Sequence, residues 1–190
     1  MSQVLIIDTE TTGFTEPVEA VEVAWVQLDA GPISQDLHLA GQFTQRYKPS
    51  RPISFGAMAT HHITEEDLAD CPPFSAFALP EDTTFLVGHN IDFDWSIIGK
   101  PGIPRICTLA LSRSLWPDEM GHSLGAMMYR LLKNNDEARD LLKNAHSAYQ
   151  NVLLTRILLQ HILEKMPKVR TWEMLWEASE RVRIPGTFHR

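Results

Sequence analysis

The chain has only two cysteines, Cys71 and Cys107, in 190 residues. That is too few for a disulfide-stapled secreted scaffold, so both are expected to be free thiols in a reducing compartment. No apolar run approaches the roughly 18 to 20 residues that cross a bilayer. No run exceeds four residues, as in Val4-Leu5-Ile6-Ile7, and the long apolar segment near the end holds only three in a row, Val152-Leu153-Leu154. The start also lacks a basic region followed by an apolar stretch and a small-residue cleavage site, so the expected address is the cytoplasm, with no membrane partner. Basic excess is missing too: 24 acidic residues face 17 basic ones, a net charge of −7. A protein coating nucleic acid over its whole surface is thereby excluded, while a local phosphate site is not. Internal repeats and low-complexity tracts are absent. The remainder is ordinary, with 44% hydrophobic and 22% charged residues, enough for one well-cored domain.

The apolar run at residues 4–7 is short and β-branched and stops at polar residues before Gly13, as a strand buried on both faces should. Residues 20–28 alternate in part, with Val21, Val23 and Trp25 on one face, and residues 41–47 form a third candidate strand, which together predict an antiparallel meander. Thr64 followed by Glu65, Glu66 and Asp67 predicts a short helix ended by Pro72-Pro73. Residues 83–87 and then 92–98 read as strand and helix, hence a parallel addition to the sheet, and residues 105–108 as a short fifth strand. Helices are expected over 109–115, 123–132, 136–142 and, longest, 147–166. The pattern is that of an α/β layered domain. Residues 167–190 turn mildly basic, five basic against three acidic, and Trp172, Leu175 and Trp176 suit one amphipathic helix docking on the body or on a partner.

Three segments carry chemistry. Asp8-Thr9-Glu10-Thr11-Thr12-Gly13 directly follows the first strand. Residues two apart on an extended chain share a face, so Asp8 and Glu10 present two carboxylates roughly 6 to 7 Å apart along the strand. No Lys or Arg lies nearby to neutralise them, and hard oxygen donors suit Mg²⁺ or Mn²⁺; a solvated strand end is the plainer alternative. Gly88-His89-Asn90-Ile91-Asp92-Phe93-Asp94 follows a strand and opens a helix, which places Asp94 where sites gather beyond the carboxyl ends of parallel strands. Asp92 and Asp94 could equally serve only the helix N-terminus. His146 and Asn151 form the third segment. A histidine before the long helix could accept a proton at neutral pH, or simply cap the helix.

Taken together, these segments resemble the DEDDh (DnaQ-like) 3′-to-5′ exonucleases, the branch that includes the proofreading subunit of bacterial DNA polymerase III and exodeoxyribonuclease X. The resemblance spans residues 4–165. Asp8-Thr9-Glu10-Thr11-Thr12-Gly13 matches the first motif at every position. His89-Asn90-Ile91-Asp92-Phe93-Asp94 resembles the second, with Asp94 as its acid. His146-Ser147-Ala148-Tyr149-Gln150-Asn151 resembles the third but ends in asparagine instead of aspartate. The linker with Arg51-Pro52-Ile53-Ser54 and Met58-Ala59-Thr60-His61-His62-Ile63-Thr64 is similar to the exodeoxyribonuclease X subgroup. The resemblance implies a ribonuclease H-like mixed five-stranded sheet flanked by helices, an exonuclease domain over residues 1–166, and a short helix and tail over 167–190.

It further implies two Mg²⁺ or Mn²⁺ ions for hydrolysis of the terminal phosphodiester. By that likeness Asp8 bridges both ions, Glu10 binds the nucleophile-side ion, Asp94 acts largely through water on the second, and His146 deprotonates the attacking water. Thr11, Thr12, Gly13, Phe14, His89, Asn90 and Phe93 then meet or shape the pocket for the terminal nucleotide. Single-stranded or duplex DNA 3′ ends are the expected partners, RNA and a homodimer being further options; Phe14, Phe55 and Trp95 are candidate stacking residues with competing core roles, and Trp95, on the inner side of a predicted helix, is expected in the core. Asn151 keeps the shape of the fourth acid but loses its charge, so metal occupancy should fall. Either it is an introduced Asp-to-Asn exchange that holds substrate without cutting it, or a natural attenuation; the intact remainder of the motifs favours the first. The competing readings are a non-catalytic 3′-end binding module and an RNA-directed exonuclease of the oligoribonuclease type.

Overall fold

The first strand, β1 (Gln3–Thr11), runs past the apolar stretch and carries Asp8 and Glu10 within it. Pairing explains the extra length. Strand β2 (Ala20–Asp29) lies antiparallel to β1 from one end to the other, Gln3 opposite Asp29 and Thr11 opposite Ala20. Strand β3 (Leu39–Arg46) adds antiparallel to β2 and completes the meander. On the other side of β1, strands β4 (Thr83–Gly88) and β5 (Arg105–Cys107) run parallel to it, giving the order β3-β2-β1-β4-β5. The expected mixed five-stranded sheet is therefore present in this computed structural model, which describes residues 2–34, 36–132, 134–143 and 147–183.

Pairing between β1 and β4 stops at Ile6 opposite Val87, while β1 continues to Thr11. An opening forms there, at the carboxyl ends of the parallel strands, where sites in open α/β sheets gather.

Among the described residues the helices are α1 (Phe55–His61), α2 (Asp92–Ile97), α3 (Thr108–Leu115), α4 (Leu124–Leu131), α5 (Asn135–Leu142), α6 (Ala148–Lys165) and α7 (Trp172–Val182). Alternation along β1 splits the core in two. Val4 and Ile6 pack with Val152, Leu158, Leu159 and Ile162 of α6, whereas Leu5 and Ile7 pack with Ile91 and the flank of α2. Helix α6 lies directly on β1 and β2, with α3 and α4 against its outer side. None of the described helices is long and apolar enough to cross a membrane.

Two local expectations are corrected. The helix predicted after Thr64 is a single 3₁₀ turn, Glu66–Leu68: the Asp67 carboxylate caps its start by accepting from the Thr64 N–H and hydroxyl, and Pro72-Pro73 follow too soon for a longer helix. The regular helix here, α1, lies one segment earlier, in the stretch read as linker. Ser54 caps it by accepting from the Ala57 N–H, and only Ala57 and His61 of it are buried, too little apolar periodicity to show in sequence. Helix α7 is the expected amphipathic helix, and it docks on the body. Cys107 N–H donates to Ser179 Oγ at 2.9 Å, Trp172 Nε1 donates to the Asp29 carbonyl at 3.1 Å, and Arg183 pairs with Asp92 at 3.1 Å.

Candidate active site

The opening beside the end of β1 receives side chains from three elements. Asp8 and Glu10 come from β1 itself, both on the face covered by α6. Asp94, from the first turn of α2, is 4% exposed, and its Oδ1 accepts from the Thr9 N–H at 2.8 Å and the Thr9 hydroxyl at 2.7 Å. Asn151, one turn into α6, donates from Nδ2 to Asp8 Oδ2 and to Glu10 Oε1, each at 3.2 Å. The sequence-predicted quartet Asp8, Glu10, Asp94 and Asn151 is thus brought together from positions far apart in the chain. His146 lies outside the described residues.

The electrostatics of this group are unfavourable without a cation. Burial, reinforced by the neighbouring Asp94 and Glu10 charges, raises the Asp8 carboxyl well above its ordinary value, against the bond from Asn151. Burial, then Glu22 and Asp94, pushes Glu10 up to about 8. Asp94 is pushed up to about 7 by burial, opposed by its bonds from Thr9. Like charges and low dielectric act here in the same direction. Among the described residues no three His, Cys, Asp or Glu side chains are already gathered at metal-ligand spacing. In their place the Asn151 amide spans Asp8 and Glu10 as a neutral donor. The donor chemistry still fits a hard divalent cation: converging carboxylates that resist ionisation and one amide whose carbonyl oxygen could turn inward.

Around this centre the loop after β1 is firmly braced. Gly13 has φ +140°, and a Cβ there would fall 2.7 Å from Ser54 Oγ, so glycine is required by conformation and by space. Ser54 N–H donates to the Thr12 carbonyl at 2.8 Å, which ties α1 to the loop. Ile63 N–H donates to His61 Nδ1, so Nε2 carries the proton and donates to the Thr11 carbonyl at 3.1 Å. Thr11 and Thr12 are buried, and Thr12 N–H donates to the Glu19 carbonyl. These threonines hold the loop in shape through internal bonds.

Phe14 follows at 57% exposure, its ring centroid 5.5 Å from that of Phe93, and Phe55 at the head of α1 is 88% exposed. Trp95, the third stacking candidate, is committed to the fold: Nε1 donates to the Pro101 carbonyl and Arg105 lies over its ring. Asn90 adopts a left-handed conformation, φ 71°, in the turn between β4 and α2.

His89 serves the fold in a way its motif did not disclose. Nε2 donates to the His122 carbonyl at 2.7 Å and Nδ1 meets the Thr108 hydroxyl at 3.1 Å, which leaves neither ring nitrogen for a substrate. Burial pushes it down to about 4, so the ring is neutral. Asp92 likewise is a structural ion-pair residue, facing Arg105 and Arg183.

One residue of this neighbourhood was missed in sequence. Glu22 stands opposite Glu10 on β2 and is 4% exposed. The signal was available, since a glutamate interrupts the run Ala20, Ala24, Val26, Leu28 on a single face of a buried strand.

Comparison with known proteins agrees with this geometry. The RNase_T exonuclease family model matches residues 5–159. The chain belongs to this exonuclease family. It is 34% identical over 161 residues to exodeoxyribonuclease 10 of Escherichia coli (strain K12), covering 83% of this chain and 67% of that protein. It is 32% identical over 143 residues to a DNA polymerase III subunit epsilon-like protein of Rhodobacter capsulatus, covering 67% of this chain and 20% of that one.

Among solved structures, exonuclease X in complex with 5′-overhanging duplex DNA superposes with a TM-score of 0.67 at 28% identity, over 93% of this chain and 99% of that one. The zinc-bound form of E. coli exonuclease I with single-stranded DNA shares the fold at a TM-score of 0.66 and 18% identity, over 89% of this chain and 42% of that one. The sheet and helices are those of the ribonuclease H-like exonucleases.

Proposed function

We propose that this member of the family acts on DNA 3′ ends as a divalent-cation-dependent 3′-to-5′ exonuclease, attenuated by Asn151. The observation that carries the reading is the meeting of Asp8, Glu10 and Asp94 at one opening, with the Asn151 amide lodged between the first two. Asp8, Glu10, Asp94 and the Asn151 carbonyl are the residues that would hold Mg²⁺ or Mn²⁺. A bound pair of such ions supplies an acidified water and neutralises the charge that builds on phosphate oxygens. The chain's own contribution is placement. Thr9 fixes Asp94, the buried loop at Thr11 to Gly13 shapes the floor, and Phe14 with Phe93 offers aromatic surface to a terminal base. Proton acceptance from water falls to His146, which precedes α6 in the sequence.

DNA is favoured as substrate because the relatives include an exodeoxyribonuclease, and exonuclease X has been solved with duplex DNA. An acidic chain can hold a few terminal phosphates through bound cations, which is all that end-directed hydrolysis demands. The decisive experiment compares the chain with Asn151→Asp on a 3′-labelled single strand in Mg²⁺ or Mn²⁺. Asn151→Asp should release mononucleotides faster by orders of magnitude, because a charged hard-oxygen donor replaces a neutral amide at the cation site. Absence of mononucleotide release by that variant overturns the reading. Asn151 itself favours one second reading, a 3′-end binder without turnover, which predicts tight end-specific binding and no cleavage by either version. Competition between matched DNA and RNA oligomers decides the sugar preference.

A further inference from the structure

Glu10, Glu22 and Arg46 form a row across three neighbouring strands, Glu10 opposite Glu22 and Glu22 opposite Arg46. Like charges directly opposite one another in an antiparallel pair are destabilising, and a buried carboxylate needs partners for its oxygens. Glu22 has two. Oε1 accepts from Arg46 Nε at 3.2 Å, and Oε2 accepts from the backbone N–H of Ala148 at 2.9 Å. Ala148 is the first residue of α6, where N–H groups lack intrahelical acceptors and a carboxylate is favoured by the helix dipole. The capping residue Ser147 meets the N–H of Gln150, so Glu22 and Ser147 serve the first turn together.

Ala148 and Asn151 are three residues apart and share one face of the helix. On that face, Ala148 is tied to β2 by Glu22, and Asn151 spans Asp8 and Glu10 on β1. We propose that Glu22 is a positioning residue that anchors the first turn of α6 to the sheet and so sets where the Asn151 side chain stands between Asp8 and Glu10. Its consequence for cation binding rests on the exonuclease reading, while the anchoring itself does not. Both Glu22 oxygens already have donors, which distinguishes it from the carboxylates that would face a cation.

The test compares Glu22→Ala with Glu22→Gln, using Mn²⁺ alone as the binding probe and the Asn151 side-chain amide resonances as a second readout. Both substitutions remove the charge, but glutamine keeps an oxygen for the Ala148 N–H, and the half-exposed Arg46 can swing into solvent. Glu22→Ala should displace or broaden the Asn151 amide pair and weaken Mn²⁺ binding about tenfold or more, the usual scale for residues that orient metal ligands. Glu22→Gln should leave the Asn151 pair close to its parental position and recover most of the affinity. If Glu22→Ala proves unfolded, Glu22→Asp, one methylene too short to reach both partners, takes its place with the same expectation. Unmoved Asn151 resonances in the alanine or aspartate variant overturn the proposal, as does a glutamine variant as impaired as alanine, which would mean that charge alone matters. A parental chain that binds no Mn²⁺ would count against the exonuclease reading, and the amide resonances would still decide the anchoring.

Discussion

Thr9 holds one oxygen of Asp94 twice, by its backbone N–H and by its hydroxyl, and neither bond uses Oδ2. The arrangement fixes the plane of a carboxyl that burial would otherwise leave protonated. Thr9→Val keeps the β-branched shape and the backbone bond but removes the hydroxyl. A hydrogen bond to a charged acceptor is worth about 1.5 to 3 kcal/mol, so the Asp94 carboxyl should rise further and Mn²⁺ binding should weaken about tenfold. Titration calorimetry with Mn²⁺ at pH 7 checks this. Unchanged affinity would show that the hydroxyl is dispensable.

The buried carboxyls and the buried imidazole should pull stability in opposite senses as pH changes, with the carboxyls prevailing. Glu10 and Asp94 sit above their ordinary values of 4.5 and 3.8, at about 8 and about 7. A raised carboxyl contributes stability in full below its ordinary value and loses it as pH climbs through the folded value, here between about pH 5 and 8. His89, lowered from 6.5 to about 4, acts the other way: its contribution is complete above pH 6.5 and fades as pH falls towards 4. Where the ranges overlap the two carboxyls outweigh the single imidazole, so the melting temperature of the metal-free protein should fall as pH rises from about 5 to 8, least steeply below 6.5, where His89 opposes the loss. Millimolar Mn²⁺ should raise the melting temperature at the alkaline end and leave it unchanged at the acid end, because a cation competes only with the carboxyl protons. Thermal scans from pH 4 to 9, with and without Mn²⁺, provide the measurement.

Phe55, at 88% exposure, heads the helix whose cap bonds to the loop carrying Gly13, and Phe14 follows that loop. Stacking of a base on an aromatic ring is worth about 1 to 3 kcal/mol and tolerates every base. Phe14→Ala and Phe55→Ala should each weaken binding of a short single strand about tenfold with little sequence preference, and neither should lower the melting temperature by more than a degree or two. Fluorescence anisotropy of labelled oligonucleotides reads the loss. An undiminished affinity in Phe55→Ala would restrict the contact to Phe14.

The sheet was legible because its strands obey simple rules. The run at Val4 to Ile7 could only be central, and the strand-helix step at residues 83–98 could only add in parallel. The acids stood out through the motifs they share with a known family, since two carboxylates at i and i+2 taken alone are more plainly a solvated strand end. What sequence could not show were bonds made across the fold. His89 occupies a motif position beside Asn90, yet its ring is consumed by His122 and Thr108, distant in the chain. Helix α1 buries just two residues, so no periodicity announced it. Glu22 owes its burial and its second bond to α6, which lies over its face of β2 from 126 residues further along the chain.

Asn151→Asp should improve catalysis while harming the metal-free fold. The present amide donates to both Asp8 and Glu10, and it is the neutral group in a cluster that already resists ionisation. Aspartate would withdraw two donated bonds and add a further buried carboxyl beside them. Leaving buried acceptors unpaired costs about 1 to 3 kcal/mol, so the metal-free variant should melt several degrees lower at pH 7.5. Saturating Mg²⁺ or Mn²⁺ should reverse the order, because stabilisation by a ligand grows with its concentration over the dissociation constant and the variant has the tighter site. Calorimetric scans of both proteins in chelator and in millimolar Mn²⁺ test the crossing. A variant more stable than its parent in chelator would mean that the amide does not hold Asp8 and Glu10 together.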